Sequence, residues 1–466
     1  MRYISTRGSC PSASFFDALL AGLAPDGGLY MPETWPTLSV QQLADAATAP
    51  YADTAAAVLK LFAGDDLTVE DAIGLTGGAY GGQWANPGIA PVRQVGPGEY
   101  ILELFHGPSL AFKDMAMQLL AGLFDHVLEK RDARLSIICA TSGDTGGAAV
   151  EAFKESHRVD LFVLLPDGRV SDVQRRFMTS SGADNVHALV VDGDFDGAQA
   201  IVKALLADKE FSAQVALSPV NSINWARIMA QSVYYVTTSC ALSAGGPVNF
   251  TVPSGNFGDA LAGYVAKMIG APIGKIMIAT NANDGIAQAF QTGTYSKTGA
   301  STATLSPAMD ISVASNFERI VFEAVGRDAA TLKRLYDGFA QNHSYDIPAV
   351  ALEKLKQSFD AFGVDDSETR WALSDCYEQT GEVLCPHTAV GWRARFDNEE
   401  TKGARVLLAT AHPAKFPETV EEVLGIKPPL PRHCADLFER PEVMTKLPAT
   451  VTAVKAFITA TIGKSS

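Results

Sequence analysis

Four loops and one lysine carry the residue types that can do chemistry. Lys113 stands in ELFHGPSLAFKDMAMQ (103–118), just after a Gly107-Pro108-Ser109 break and among Leu110, Ala111, Phe112 and Met115. Apolar neighbours desolvate an amine, which disfavours its ammonium form and lowers its pKa. Such an amine can attack a carbonyl and form a Schiff base. A surface lysine in a first helical turn fits the same letters, so the amine alone leaves both readings open.

The loops supply anion sites. In SGNFGD (254–259) Gly255 and Gly258 permit a tight turn, and free N–H groups at a helix start can cradle a phosphate. The spacing matches neither GxGxxG nor GxxxxGK[ST], so dinucleotide and P-loop readings lack support. TSGDTGG (141–147) repeats that geometry with hydroxyls. There Thr141 and Ser142 can donate to a carboxylate, while Asp144 would oppose a bare anion and either suits a partner that presents a proton or a positive centre or caps the helix. NSINWAR (221–227) places cap-type Asn221 and Ser222 before Arg227, a set that can clamp phosphate or carboxylate. A capped helix with a solvated arginine reads equally well. Thr410 ends an apolar run in LATAHPAKF (408–416), where a neutral hydroxyl can bond a ring nitrogen without forcing a proton onto it. His106, His387 and His412 are further site-lining candidates.

The elements that must position these residues follow from periodicity. Near-continuous apolar runs at 135–139, 161–165, 186–191, 248–252, 275–279 and 406–409 alternate with helical patterns at 148–155, 195–206 and 260–269, and a polar helix from Ser171. A strand at 100–104 leads into the Lys113 helix. Buried strands alternating with helices imply an α/β fold with parallel sheet covered on both faces. Ligands then bind beyond the carboxyl ends of the strands, where 140–147, 253–259 and 410–416 lie. Residues 316–400 read as helical, and the glycine-rich segment 77–82 as a loop or linker. Ahead of it, helices are expected at 15–23, 39–47 and 54–62.

With 466 residues, 47% hydrophobic and 19% charged, the chain has ample material for more than one core. Its net charge of −15 disfavours a nucleic-acid partner and makes any anion site a local matter. No apolar run reaches membrane-spanning length. Asp17 interrupts the apolar stretch 15–24, which argues against a secretory signal. The six cysteines are scattered with no CxxC pair, which fits a reducing cytoplasm; no metal site is expected, although Cys385 and His387 are close.

Nine ordered blocks together resemble the threonine synthases, pyridoxal-phosphate enzymes of the tryptophan-synthase-β fold type. They are 14–33, 104–114, 140–149, 221–227, 252–259, 279–285 (ATNANDG), 308–312 (AMDIS), 386–391 (PHTAVG) and 408–416. The resemblance spans almost the whole chain and is closest to the longer subgroup with an extra N-terminal domain. It implies fold type II, with two parallel-sheet α/β domains around a central cofactor cleft. The expected divisions are an N-terminal domain at 1–92, a lysine segment at 93–125, a small α/β domain at 126–215 and a large cofactor-binding domain at 216–466.

By the same resemblance, pyridoxal 5'-phosphate is the cofactor and Lys113 the lysine that carries it. Gly255, Asn256, Phe257, Gly258 and Asp259 would bind the cofactor phosphate, Thr410 would face the pyridine nitrogen, and Asp144 would stand where relatives often have an asparagine near the 3'-oxygen. Ser109, Thr141 and Ser142 would join the substrate-binding set, with Asn221, Ser222 and Arg227 on the substrate phosphate. The implied reaction is O-phospho-L-homoserine plus water to L-threonine plus phosphate, by γ-elimination and β-addition of water, with Lys113 as proton carrier. The implied enzyme is cytoplasmic, a monomer or homodimer, with a small molecule as partner. Rival readings are a phospho-lyase of the same fold yielding 2-oxobutyrate, and a non-catalytic anion binder.

Overall fold

The computed structural model describes residues 1–465 apart from 142, 169, 298 and 396–401. The chain builds two sheets, one almost entirely parallel and one wholly parallel, and residues beyond the carboxyl ends of strands from both line one cleft. The larger has six strands in the order Phe359–Gly363, Ile273–Thr280, Val248–Pro253, Arg405–Ala409, Glu99–Glu103 and Val92–Gly96. All neighbours run parallel except the last pair, Val92–Gly96 against Glu99–Glu103. The smaller has five strands, all parallel, in the order Thr445–Leu447, Val186–Val191, Val159–Pro166, Leu135–Ala140 and Leu217–Pro219. Val159–Pro166 is buried along its whole length, as a parallel strand with both faces covered must be.

The order of strands decides what meets at the cleft. Val248–Pro253, Arg405–Ala409 and Glu99–Glu103 are adjacent, so the phosphate-type turn, Thr410 and the Lys113 segment leave one sheet side by side. Leu135–Ala140 and Leu217–Pro219 are likewise adjacent and deliver the Thr141–Asp144 loop and Asn221–Ser222 from the other sheet.

The N-terminal unit pairs Tyr3–Ser5 antiparallel with Tyr30–Pro32 and adds helices Phe15–Ala21, Val40–Ala46, Tyr51–Ala63 and Val69–Ala79. The apolar faces of this unit join the core of the large sheet: Tyr3, Phe15 and Phe62 belong to one buried cluster with Trp225 and Phe250. Tyr3, Trp35 and Phe62 surround the Trp225 ring, with centroids 6.0, 6.2 and 5.6 Å away. Trp225 opens the helix Trp225–Leu242, which also carries Arg227. Packing on the N-terminal unit therefore sets where that arginine stands.

Several expectations are corrected. Gly77 and Gly78 lie inside helix Val69–Ala79, because the helix is held by packing and a Thr68 capping box rather than by glycine propensity. The stretch read as helical, 316–400, contains the strands Ser344–Asp346 and Phe359–Gly363, the second completing the large sheet. The small sheet takes Leu217–Pro219 and Thr445–Leu447 from outside 126–215. Three-residue strands carry too little periodicity to be recognised before their partners are known. The helix expected at 148 begins at Asp144.

Candidate active site

The Lys113 segment is zipped to the Thr410 segment by backbone. Leu104 N–H donates to the Ala409 carbonyl (3.0 Å), Phe112 N–H to the Thr410 carbonyl (2.8 Å) and His412 N–H to the Leu110 carbonyl (3.0 Å). Beneath Lys113 the turn is locked by Asp114, whose carboxylate accepts from the Ser109 N–H (2.8 Å) and hydroxyl (2.6 Å). Gly107 is required there, since a Cβ would fall 2.5 Å from Cβ of Asp114. Lys113 itself is the N-cap of helix Asp114–Lys130, and its amine enters the cleft. Burial depresses its pKa, aided by the positive charges of Lys415 and Arg227 and opposed by Asp144.

Of the two settings its loop suggested for Asp144, the structure shows the positive partner and not the cap. Its carboxylate does not cap the helix it begins. One oxygen lies 2.9 Å from Lys415 Nζ and accepts from the Gln174 amide at 3.0 Å; the other lies 3.6 Å from Lys113 Nζ. Burial works to raise this carboxyl, but Lys415 and then Lys113 hold it well below the usual carboxylate range. Thr141 takes over the capping: its hydroxyl oxygen accepts from the N–H groups of Gly143 (3.0 Å) and Gly146 (2.9 Å). Thr141 still lines the cleft. Ser142 lies outside the described residues.

On the large-sheet side the turn after Val248–Pro253 passes Ser254, Gly255 and Asn256, then Phe257 in the left-handed region (φ 62°), and enters helix Gly258–Met268. Gly255 is pressed against the 308–312 segment, where a Cβ would sit 2.8 Å from Met309 Cα. Phe257 sends its ring into the core beside Phe317 and Phe359, 5.5 and 5.4 Å between centroids, so only its backbone is left for a ligand. Asp259 lines the cleft, yet one carboxylate oxygen accepts from the hydroxyls of both Tyr234 and Tyr235. Burial pushes its pKa up to about 6 against those bonds. One oxygen of Asp259 thus ties the helix start to Tyr234 and Tyr235, and the other is buried without a hydrogen-bond partner.

Asn221, Ser222 and Arg227 all face the cleft. The cap of their helix is Asn224, which accepts from Ala226 N–H at 3.0 Å and donates to the Leu19 carbonyl at 2.8 Å, leaving Asn221 and Ser222 free of that duty. The Ser222 hydroxyl is bonded by the Asn256 amide, joining the two anion loops. Arg227 is 2% exposed, and its Nε and Nη1 have no hydrogen-bond partner. Burial pushes its pKa down to about 10.

Ser109 is the clearest miss: it is fully buried, is spent on Asp114, and does not line the cleft. Its carbonyl instead accepts from Lys415 at 2.7 Å. Lys415, assigned no role from sequence, is fully buried next to the site. The only sequence signal for it is an amine six residues beyond a strand end. His387 lines the cleft with Nε2 accepting from Ala308 N–H (3.2 Å) and Nδ1 unpartnered, whereas His412 accepts from Ala414 N–H beside a different surface pocket.

These orphaned atoms test whether pyridoxal phosphate fits. Thr410 Oγ1, Ser254 Oγ and His387 Nδ1, with the Arg227 nitrogens, are buried without partners and all belong to this one cleft. A buried polar group left unpaired costs roughly 1–3 kcal/mol. Such a concentration suits a polar ligand with an anionic end, a hydrogen-bonding ring and a carbonyl within reach of an amine. Among the described residues no cluster suits a metal ion, and no helix is long and apolar enough to cross a membrane.

Three family models together match most of the chain. Residues 2–80 match the family model for the threonine synthase N terminus, 90–410 that for pyridoxal-phosphate dependent enzymes, and 388–458 that for the threonine synthase C-terminal region. The threonine synthase of Pseudomonas aeruginosa is 45% identical over 463 residues, 98% of each chain. That of Corynebacterium glutamicum is 40% identical over 480 residues, 100% of each chain. The crystal structure of PLP-bound threonine synthase from Brucella melitensis superposes with a TM-score of 0.96 at 45% identity, covering 99% of both chains. The yeast threonine synthase structure gives 0.94 at 34% identity, again over 99% of both.

Proposed function

The chain belongs to the threonine synthase family of pyridoxal-phosphate-dependent enzymes, and from that premise we propose that it converts O-phospho-L-homoserine and water to L-threonine and phosphate, the last step of threonine biosynthesis. The observation that carries the substrate reading is Arg227, a buried guanidinium with two unpaired nitrogens in the same cleft as a depressed-pKa lysine. A free amino acid without a second anionic group would leave that arginine unmatched.

Pyridoxal phosphate, when bound, supplies the electron sink that makes protons next to the substrate's amino carbon removable. Lys113 Nζ would hold it and then move protons at the substrate's α- and β-carbons, a task for which an amine of lowered pKa is suited. Its phosphate would sit on the 254–258 turn, where Gly255, Asn256 and Gly258, with the Phe257 backbone, open the helix. Thr410 Oγ1 would meet the ring nitrogen, and Asp144 would stand near the 3'-oxygen. Thr141 and Ser142 would orient the substrate carboxylate. Asn221, Ser222 and Arg227 would receive the leaving phosphate, which stabilises charge as it develops. Ser109 and Asp259 belong to the scaffold beneath these groups. Six unpaired cysteines suit a reducing cytoplasm, and a monomer or homodimer suffices, because every group named here comes from one chain.

The test is product identity. The purified protein incubated with O-phosphohomoserine should release phosphate and threonine in equal amounts. Release of 2-oxobutyrate and ammonia instead would move the reading to the phospho-lyase. Lys113→Ala should lose both turnover and the visible absorbance of lysine-bound cofactor, and full activity in that variant would end the assignment.

A further inference from the structure

Two buried side chains, Lys415 and Asp144, and a partly buried one, Lys113, form a chain of alternating charge in the cleft. Lys113 Nζ lies 3.6 Å from one oxygen of Asp144, and Lys415 Nζ lies 2.9 Å from the other. The two partners of Asp144 are unequal. Lys415 is closer, fully buried and fixed from its other side by the Ser109 carbonyl at 2.7 Å, whereas Lys113 stands further off and partly open to the cleft. The Gln174 amide also donates to the oxygen that Lys415 holds.

Two amines share one carboxylate, so at most one can be neutralised as an ammonium there. We propose that Lys415 is a positioning residue for Lys113: it takes Asp144 as its own counter-ion and so leaves the Lys113 amine uncharged, ready to receive the cofactor and to move protons. The proposal rests on the reading of Lys113 as the cofactor lysine. A second basic side chain set beside a reactive amine, with the intervening carboxylate already claimed, is one of the arrangements that activate a lysine nucleophile.

The other charged and titratable groups around Lys113 do not undo this arithmetic. Arg227 adds a positive charge from the helix Trp225–Leu242. His387 is held neutral at ordinary pH, its pKa pushed by burial to about 4. Asp259 is bound by two tyrosine hydroxyls. On the far side, Lys415 also feels Asp114, which is committed to Ser109, and His412, pushed by burial to about 4. Among the described residues, only Asp144 lies within ion-pairing distance of either amine.

The experiment titrates Lys113 directly. In the full chain freed of cofactor, competitive acetylation at a series of pH values, read by peptide mass spectrometry, gives the midpoint of the Lys113 amine. Return of the visible band on adding pyridoxal phosphate shows that the fold is intact. The unaltered protein should show a midpoint clearly below that of exposed lysines. Lys415→Gln keeps a donor for Asp144 and for the Ser109 carbonyl but removes the charge, and should raise the midpoint by about one pH unit or more. Lys415→Arg should leave it near the parent value, and Lys415→Gln combined with Asp144→Asn should bring it down again. A normal midpoint in the unaltered protein, or one that Lys415→Gln leaves in place, overturns the proposal. Borohydride reduction of the loaded enzyme tests the underlying reading separately: cofactor fixed on another lysine refutes the role of Lys113, whatever the titration gives.

Discussion

Replacing Arg227 with methionine should weaken catalysis and strengthen the fold at once. The arginine is buried with Nε and Nη1 unpaired, and among the described residues no carboxylate lies within ion-pairing distance. Two hydrogen bonds from a guanidinium to a phosphate contribute roughly 1.5–3 kcal/mol each, so their loss costs roughly 3–6 kcal/mol of substrate and transition-state binding. At about 1.4 kcal/mol per decade this is a fall in kcat/KM of roughly 100- to 10,000-fold. The fold shows the opposite sign. Burial lowers this pKa from 12.5 to about 10, so at neutral pH the charge is held in the native state at a cost of about 3 kcal/mol. Methionine fills much of the volume without a charge, so unfolding in the absence of substrate should become harder by roughly 1–3 kcal/mol. The assays are phosphate release from O-phosphohomoserine and urea unfolding, with the visible cofactor band as control. If Arg227→Met lost activity and stability together, the guanidinium would be a brace of the fold. If it gained stability and kept its activity, the substrate phosphate would bind elsewhere.

Thr410→Val removes a buried hydroxyl that has no protein partner, so the cofactor-free protein should keep its stability within about 0.5 kcal/mol while pyridoxal phosphate binds roughly tenfold more weakly in a spectroscopic titration. Gly255→Ala drives a methyl to 2.8 Å from Met309 Cα, a backbone atom that cannot step aside; a loss of roughly 1–3 kcal/mol in denaturant unfolding and weaker cofactor binding are expected. His387 titrates near 4 when folded against 6.5 unfolded, so the stability from its neutral ring is complete above pH 6.5 and is lost as pH falls toward 4. His387→Gln should flatten the acid limb of the stability profile by up to about 3 kcal/mol, leaving the part that His412 contributes in the same window. An unchanged acid limb would show that the ring is protonated without cost.

The alternation of apolar strands and helices, the glycine turns at strand ends and the break before Lys113 are local features, written over a few consecutive residues. They determined the fold class, the three ligand-bearing loops and the stretch that carries the amine, because strand–turn–helix geometry depends on neighbours in sequence. The partners of each side chain were not local. Ser109 reads as a site residue until Asp114 is seen to hold its hydroxyl. Phe257 belongs to an anion loop by position, yet its ring completes a core with Phe317 and Phe359. The short strands Leu217–Pro219 and Thr445–Leu447 exist because neighbouring strands satisfy their backbones, and no residue type in them announces it. Asp144 is the plainest case. Its letter fits a cap, a ligand or a counter-ion, and only the packing of two sheets brings it between Lys113 and Lys415. A charge taken out of water is defined by what it meets there, and the tertiary structure decides those meetings.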